Sequence, residues 1–228
     1  MSENPKIYIV IPAYNEEKVI ADVIAEIRAA GYQNLIVIDD GSADNTQAVA
    51  KNAGVVALRH KINRGKGAAT KTGIEAAKLL DADIIVTLDG DGQHDPQDIE
   101  KMIAPIRDKK CDVVLGTRLI DPRGMPWYKI MANHFGNFVT WYLFGLWVTD
   151  SQSGFRAYSR HAAETINTKA DRYEYDSEVI REIYIYKLKF KEVPIAVRYT
   201  EYSMGKLQKQ GFWNGIKTLY KMVWGLLS

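Results

Sequence analysis

Short apolar runs alternate with longer amphipathic segments through the first half of this sequence. The apolar runs cover residues 7–11, 35–38, 55–58 and 84–88, and the segments between them repeat apolar positions at helical spacing. Strands that alternate with helices in this way predict right-handed βαβ crossovers and a parallel sheet. We therefore expect an α/β fold, Rossmann-like in layout, with helices on both faces of a mainly parallel sheet.

The second half of the chain breaks this alternation. A helix predicted at residues 99–106 and a strand at 113–115 precede an aromatic segment, residues 127–147, which predicts one amphipathic helix or a pair of helices. The remaining predicted elements are a strand at 155–158, a helix at 174–188, a strand at 191–198 and an amphipathic C-terminal helix at 212–227. Aromatic residues mixed with lysine are typical of a core helix and also of a helix at a membrane surface, so both interpretations stay open.

Length and composition narrow the choice of function. With 228 residues, 46% of them hydrophobic, the chain suits one α/β domain that spans residues 1–228. A net charge of +2 gives no global basic excess, so we expect no nucleic-acid partner. The single cysteine, Cys111, excludes an internal disulfide framework and falls in the predicted fifth strand. The N-terminus lacks a signal-peptide pattern and no apolar run reaches the roughly 18 residues that span a bilayer, so we expect a cytoplasmic protein.

Candidate chemistry begins where the fourth apolar run ends. Asp89 and Asp91 follow that run, with Gly90 and Gly92 beside them. Residues i and i+2 of an extended segment point the same way, and ligands of open α/β sheets lie at the carboxyl ends of the strands. Two carboxylates there suit Mg²⁺ or Mn²⁺, which keeps positions open for water and substrate phosphates. The alternative is a solvated turn, since Asp-Gly pairs are common turn formers.

Polar breaks also follow the first two predicted strands, at residues 12–17 and 39–42. Because the carboxyl ends of parallel strands meet at one edge of a sheet, we expect both breaks to converge with residues 89–95 on a nucleotide site. No GxGxxG motif follows the first strand, which excludes the usual dinucleotide fingerprint. Asp39 or Asp40 is placed to bond the base or ribose, and a helix-capping turn is the alternative for both.

Six motifs follow one another along the chain: IVIPAYNE, VIDDGSADNT, NRGKGAATKTGI, LDGDGQHDP, GTR and DSQSGFR. In this order they resemble the inverting family-two glycosyltransferases, in particular the branch of dolichyl-phosphate mannose synthases and polyprenyl-phosphate glucosyltransferases. The resemblance covers about residues 7–206. It implies the A-type glycosyltransferase fold (GT-A), a GDP- or UDP-linked sugar donor, Mg²⁺ or Mn²⁺ as cofactor and a polyprenyl phosphate acceptor. The expected enzyme is thus a hexosyltransferase similar to dolichyl-phosphate mannosyltransferases.

The resemblance also implies roles for individual residues. Those for the donor are Pro12, Tyr14 and Glu16 in the nucleoside pocket, Asp40 against the nucleotide, and Asp89, Asp91 and Gln93 on the metal and the diphosphate. Arg118 would bind the acceptor phosphate. On this division residues 1–118 hold the donor, residues 119–206 hold the acceptor, and residues 207–228 form the C-terminal helix.

The sequence departs from the family pattern at the acceptor site. The family's lipid-phosphate synthases usually carry a basic residue after the GTR arginine and a serine four positions later, where this chain has Lys129 and Asn133. Lysine still neutralises a phosphate but lacks the bidentate fork of arginine. Arg198 and Lys206 are further candidate cations, with a solvated surface charge as the alternative.

Two expectations concern the acceptor and the membrane. A polyprenyl phosphate needs no strong base, because its second pKa of about 6 leaves it ionised at neutral pH. A sugar hydroxyl, as in glycan or cell-envelope polysaccharide synthesis, would need one, and Asp150 is the candidate. Many relatives carry transmembrane helices after the catalytic domain; here we expect peripheral contact with the cytoplasmic face of the membrane, through the aromatic amphipathic helices or an anchoring partner.

Two other classes of function predict different sequences. A nucleotidyltransferase also places acidic metal ligands at strand ends, but it predicts a loop rich in Gly, Arg and Lys after the first strand, where this chain has PAYNEE. A pure binding module gives no reason for Asp89, Asp91 and Gln93 to converge. The sequence therefore favours a metal-dependent glycosyltransferase.

Overall fold

The computed structural model describes residues 5–118, 127–172 and 174–198, without the side chains of residues 127–130, 132 and 133. The strands in this part are β1 (Ile7–Ala13), β2 (Leu35–Asp39), β3 (Val56–Arg59), β4 (Ile84–Thr87), β5 (Val113–Thr117), β6 (Arg156–Ser159) and β7 (Phe190–Pro194). The helices are α1 (Ile20–Ala29), α2 (Thr46–Asn52), α3 (Lys66–Leu79), α4 (Ile99–Arg107), α5 (Trp127–Phe144), α6 (Arg160–Thr165) and α7 (Glu174–Ile185), with a 3₁₀ turn, Pro96–Asp98, before α4. The strands form one sheet in the order β3-β2-β1-β4-β6-β5-β7.

The first four strands are parallel to one another. β1 pairs with β2 and β4, and β2 pairs with β3. Every residue of β2 and β4 is buried, as expected for strands that helices cover on both faces. Because Ala13 pairs with Asp39, the carboxyl ends of β1 and β2 lie level. The parallel layout predicted for this half is confirmed.

Strand β6 runs against both of its neighbours. It pairs antiparallel with β4 and β5, so the described sheet is mainly parallel but mixed. Arg156 faces Thr87, which means that β6 begins beside the end of β4. The segment before β6, residues 150–155, therefore enters the sheet next to Asp89. Hydrophobic periodicity predicts a strand here but carries no information on its direction.

Apolar side chains form a cluster on each face of the sheet. One cluster joins the sheet to α1, α2 and α4, and the other joins it to α3, α6 and α7. The first contains Ile20 and Ile24 of α1 with Ile103 of α4; the second contains Val179 and Ile183 of α7. Helices thus cover both faces, as predicted.

Some element boundaries differ from the predictions. Strand β1 continues past residue 11, because the carbonyls of Pro12 and Ala13 still accept bonds from the amides of Gly90 and Asp40. Cys111 is buried just before β5 instead of inside it. Strand β7 ends at Pro194 instead of residue 198, and the Ile195 amide makes a last hydrogen bond to the Thr117 carbonyl of β5 at 3.1 Å. Helix α6 was not predicted, because six residues are too few to show a helical period.

The aromatic segment forms a single helix, α5, in place of the helix pair that the sequence left open. The predicted C-terminal helix at 212–227 lies outside the described residues. None of the helices described here combines the length and the apolar character that crossing a bilayer requires.

Candidate functional site

Three loops meet at the carboxyl edge of β1, β2 and β4. The Asn15 amide donates to Ser42 Oγ at 2.9 Å, and the Glu16 amide donates to Thr46 Oγ1 at 2.8 Å, which ties the loop after β1 to the loop after β2. The Gly90 amide donates to the Pro12 carbonyl, which ties in the loop after β4. The predicted convergence of the three polar breaks is confirmed.

Asp89 lies at the centre of this edge, between two basic side chains. Lys66 Nζ, from the first turn of α3, is 2.9 Å from Asp89 Oδ1, and His94 Nε2 is 3.6 Å from Oδ2. Burial opposes ionisation of Asp89, but the Lys66 ammonium and the His94 ring outweigh it and lower the pKa of the carboxyl. Asp89 is therefore ionised at neutral pH.

Asp91 is in the opposite electrostatic situation. Burial and then the neighbouring Asp89 carboxylate raise the pKa of Asp91, while the Gln93 amide donates to its Oδ1 at 3.0 Å. Two like charges held this close attract a divalent cation. The described residues hold no cluster of three or more Asp, Glu, His or Cys arranged as metal ligands. Two carboxylates, those of Asp89 and Asp91, still fit Mg²⁺ or Mn²⁺, because water and phosphate can fill the other coordination positions of such a cation.

Residues from the second half of the chain complete the floor of the site. Asp176, in the first turn of α7, places Oδ2 3.6 Å from Lys66 Nζ and Oδ1 3.4 Å from the buried guanidinium of Arg156. Arg156 also donates to the carbonyls of Ser151, Ser153 and Asp176. The guanidinium thereby fixes the DSQSGFR loop against α7.

Arg118 and Asp150 form a bidentate ion pair at the end of β5. The Arg118 Nε and Nη2 donate to the two carboxylate oxygens at 2.6 and 2.8 Å, and the Arg118 amide adds a third bond. The Asp150 side chain is fully buried in this contact. This geometry argues against Asp150 as a general base, because arginine holds both of its oxygens. Acceptor binding by Arg118 stays a prediction.

Asp40 faces the loop between β3 and α3. Its two carboxylate oxygens accept the amides of Arg64 and Gly65 at 3.0 and 2.7 Å and a ring nitrogen of His60 at 2.7 Å. Its neighbour Asp39 accepts a hydrogen bond from the Ser42 amide and so stabilises the turn after β2. This contact agrees in part with the helix-capping turn given as the alternative for the two residues. Contact of Asp40 with a nucleotide stays a prediction.

The other predicted residues are placed as follows. Pro12 and Glu16 are buried at the end of β1 and Tyr14 is exposed beside them. Arg198 pairs with Glu26 at 2.7 Å and with Asp95 at 3.1 Å, which favours the surface-charge alternative. Lys206 and the side chains of Lys129 and Asn133 lie outside the described residues. Sequence reasoning missed Lys66, Gly154, Arg156 and Asp176 as site residues; the GKG and SGFR motifs contained a signal for the first three, whereas nothing local marks Asp176.

Helix α5 presents its apolar side outward. Its buried positions include the polar residues Asn137 and Thr140, which contact the backbone at Thr149 and the hydroxyls of Ser151 and Ser177. Its exposed large side chains, at helical spacing, are Met131, Phe135, Phe138, Trp141 and Tyr142. A helix that only packed on the core would have the reverse arrangement.

The sequence is similar to that of known proteins. Residues 8–166 match the family described as Glycosyl transferase family 2. The chain is 42% identical over 222 residues to the UDP-N-acetylglucosamine–dolichyl-phosphate N-acetylglucosaminyltransferase of Methanococcus voltae, covering 88% of each protein. It is 26% identical over 230 residues to the polyprenol monophosphomannose synthase of Mycolicibacterium smegmatis, covering 96% of this chain and 86% of that protein.

A solved structure gives the same result for the fold. The glucosyl-3-phosphoglycerate synthase from Mycobacterium tuberculosis, crystallised in complex with Mn²⁺, UDP and phosphoglyceric acid, matches with a TM-score of 0.70 at 23% identity. The match covers 96% of this chain and 78% of that one. The two chains therefore share their fold.

Proposed function

The chain belongs to glycosyl transferase family 2 and has the A-type fold, and from this premise we propose that it transfers a hexose-type sugar, with inversion, from a nucleotide-diphosphate donor to a polyprenyl phosphate. Two relatives named for dolichyl phosphate and for polyprenol monophosphomannose support the lipid acceptor. Their sugars differ, so mannose is one candidate and N-acetylglucosamine another. The observation that carries the proposal is the site's charge pattern, in which Asp89 and Asp91 lie beside the Lys66 ammonium at the sheet edge.

The donor would lie across the ends of β1, β2 and β4. Asp89, Asp91 and Gln93 would hold Mg²⁺ or Mn²⁺, and such a cation supplies positive charge that stabilises the departing diphosphate. Lys66 adds a second positive charge at the same place, because its ammonium lies between Asp89 and Asp176. Asp176 and Arg156 are buried and therefore held in place. Because Lys66 pairs with Asp176, its side chain points in a fixed direction.

The acceptor side favours a phosphate over a hydroxyl. A hydroxyl acceptor needs a general base, and the carboxylate suggested for that role, Asp150, is already held by the Arg118 fork. A lipid phosphate is ionised at neutral pH and needs only to be oriented in line with the anomeric carbon. Arg118 holds Asp150, the first residue of the loop whose Gly154 lies against Asp89, so a phosphate bound at Arg118 would lie near the donor site.

The outer face of α5 would lie on the cytoplasmic surface of the membrane. Its large apolar side chains Met131, Phe135, Phe138, Trp141 and Tyr142 are exposed, while its polar residues Asn137 and Thr140 are buried in the protein. Aromatic side chains at such a surface insert at the level of the headgroups. A lipid phosphate would then reach Arg118 without leaving the bilayer. An anchoring partner protein is the alternative.

The function is tested by a transfer assay. The protein is incubated with GDP- and UDP-sugars and either polyprenyl phosphate or the neutral polyprenol, with Mn²⁺ or with EDTA, and nucleoside diphosphate release is measured. We expect release with one donor, with the phosphate and with the metal. Equal release with the neutral polyprenol would overturn the phosphate acceptor, and full activity in EDTA would overturn the metal.

The membrane contact is tested by vesicle sedimentation. We expect the Trp141→Ser/Tyr142→Ser variant to stay in the supernatant instead of sedimenting with the vesicles, while it still binds the donor. The matched control is Leu79→Ser, which removes an exposed apolar side chain from the far end of α3. Unchanged sedimentation of the double variant, or equal loss by the control, would contradict the assignment of α5.

A further inference from the structure

We propose that His60 is a positioning residue for donor binding, which acts by fixing the turn that presents Lys66 to the donor site. The inference rests on the proposed function, because it assigns a purpose to a side chain that touches neither Lys66 nor Asp89 in the structure. It starts from the buried hydrogen bonds of the His60 ring, which none of the roles described above requires.

The ring of His60 bridges the end of β2 and helix α3. Its Nδ1 lies 2.7 Å from Asp40 Oδ1 and its Nε2 lies 2.9 Å from Thr72 Oγ1. The side chains of His60 and Asp40 are 10% and 3% exposed. Because a carboxylate only accepts hydrogen bonds, Nδ1 carries the hydrogen in this contact. The ring therefore has a defined orientation, with one nitrogen on a strand end and the other on a helix.

Asp40 passes this constraint to the start of α3. Its carboxylate also accepts the amides of Arg64 and Gly65, the two residues before Lys66. Gly65 has a φ of 112° and brings the turn close to the Asp171 carbonyl, which a Cβ at this position would approach to 2.5 Å. The next residue is Lys66, whose ammonium reaches Asp89. Strand end, turn and lysine are thus one connected unit.

His60 fixes that unit from two sides. Without the ring, Asp40 keeps its two backbone donors, and the Thr72 hydroxyl can donate its one hydrogen to the Ala68 carbonyl, 3.0 Å away. The fold would therefore persist, but the Asp40 carboxylate that holds the turn would lose the ring nitrogen that orients it. We expect the donor to bind more weakly, because the turn before Lys66 would then have to be ordered at the moment of binding.

Two conservative variants separate the two ring contacts. The amide nitrogen of asparagine reaches the place of Nδ1, so His60→Asn keeps a donor for Asp40 and loses only the contact with Thr72. The longer glutamine side chain reaches the place of Nε2, so His60→Gln keeps the contact with Thr72 and loses the one with Asp40. His161→Gln, at an exposed histidine of α6, is the matched control.

The readout is calorimetric titration with GDP and UDP in the presence of Mn²⁺, together with the melting temperature of each variant. We expect His60→Asn and the control to bind within about threefold of the unaltered chain, and His60→Gln to bind roughly tenfold more weakly, as for one lost bond to a charged group. The Asn and Gln variants should melt at similar temperatures.

The outcomes divide clearly. Equal affinity of the Asn and Gln variants would overturn the positioning role, and so would an affinity loss that follows the melting temperature across the series, since that is the mark of a purely structural side chain. Failure of the unaltered chain to bind either nucleotide would instead overturn the proposed function, and this inference with it.

Discussion

The substitution Gly154→Ala tests the geometry of the site with a single methyl group. A Cβ at this position would lie 2.5 Å from Lys66 Nζ and 2.7 and 2.9 Å from the two oxygens of Asp89. The Lys66 ammonium would have to move away by about 0.9 Å to restore an ordinary contact of 3.4 Å. The methyl group would also lie too close to both oxygens of Asp89, so the carboxylate cannot move with the lysine. The methyl group therefore acts as a wedge that opens the ion pair.

The size of the effect follows from the distance. The pair is 2.9 Å long, and both side chains are less than one-third exposed. Opening it to about 4 Å at an effective dielectric constant of about 20 removes roughly 1.5 kcal/mol of Coulomb energy. A donor that requires the closed pair would have to restore it on binding, which costs about a factor of ten in affinity. Global stability should change little, because alanine in place of a loop glycine also lowers the entropy of the unfolded chain by up to about 1 kcal/mol.

The assay compares donor affinity with thermal stability. We expect Gly154→Ala to weaken nucleotide-sugar binding about tenfold and to leave the melting temperature within a few degrees of the unaltered chain. Gly136→Ala is the matched control, since a Cβ there meets nothing within 4 Å and a helical glycine gains about 0.5 to 1 kcal/mol on replacement by alanine. Unchanged donor affinity in Gly154→Ala would refute the placement of Lys66 and Asp89 in the donor site.

Three further predictions follow from the same structure. Asp91→Asn should make donor binding insensitive to EDTA and about ten- to a hundredfold weaker in Mn²⁺, because one carboxylate ligand is lost, and calorimetry with and without the chelator checks it. Arg118→Gln should cost about 3 kcal/mol or more in a denaturant titration, because it leaves the buried Asp150 carboxylate unpaired; adding Asp150→Asn should restore stability but not lipid-dependent transfer. Burial raises the pKa of the Cys111 thiol to about 11, so the native protein should resist alkylation at pH 8 and react once unfolded, as mass spectrometry would show.

The sequence was sufficient for the features that are local. A buried parallel strand is a continuous apolar run, and the run before Asp89 stops abruptly at a carboxylate, so the strand and its ligand edge both follow from neighbouring residues. The meeting of the carboxyl ends of β1, β2 and β4 also follows, because parallel strands end at the same edge of the sheet. For the same reason the first half of the fold was predicted more closely than the second.

Features that depend on contacts between residues far apart in the sequence could not be predicted from the sequence. The direction of β6 is decided by its contacts with β4 and β5, and no residue of the strand encodes it. Asp176 enters the site because α7 docks with its first turn against Lys66, although its own surroundings in the sequence are those of an ordinary helix start. The outward apolar face of α5 needed the structure as well, since a helical period fixes which residues share a face but not which face is buried.

The DSQSGFR segment illustrates how a motif and its chemistry can be separated. A hydroxyl acceptor would need a base, and Asp150 was the candidate, yet in the structure three residues of this segment each constrain or accommodate another group. Asp150 orients Arg118, Gly154 leaves room for the ion pair of Lys66, and Arg156 joins the loop to α7. The charged side chains of this segment are engaged in holding other groups. The segment therefore suits a reaction whose nucleophile is already ionised when it binds. The engagement of Asp150 with Arg118 thus agrees with the phosphate acceptor that we propose, because such an acceptor needs no base from this segment.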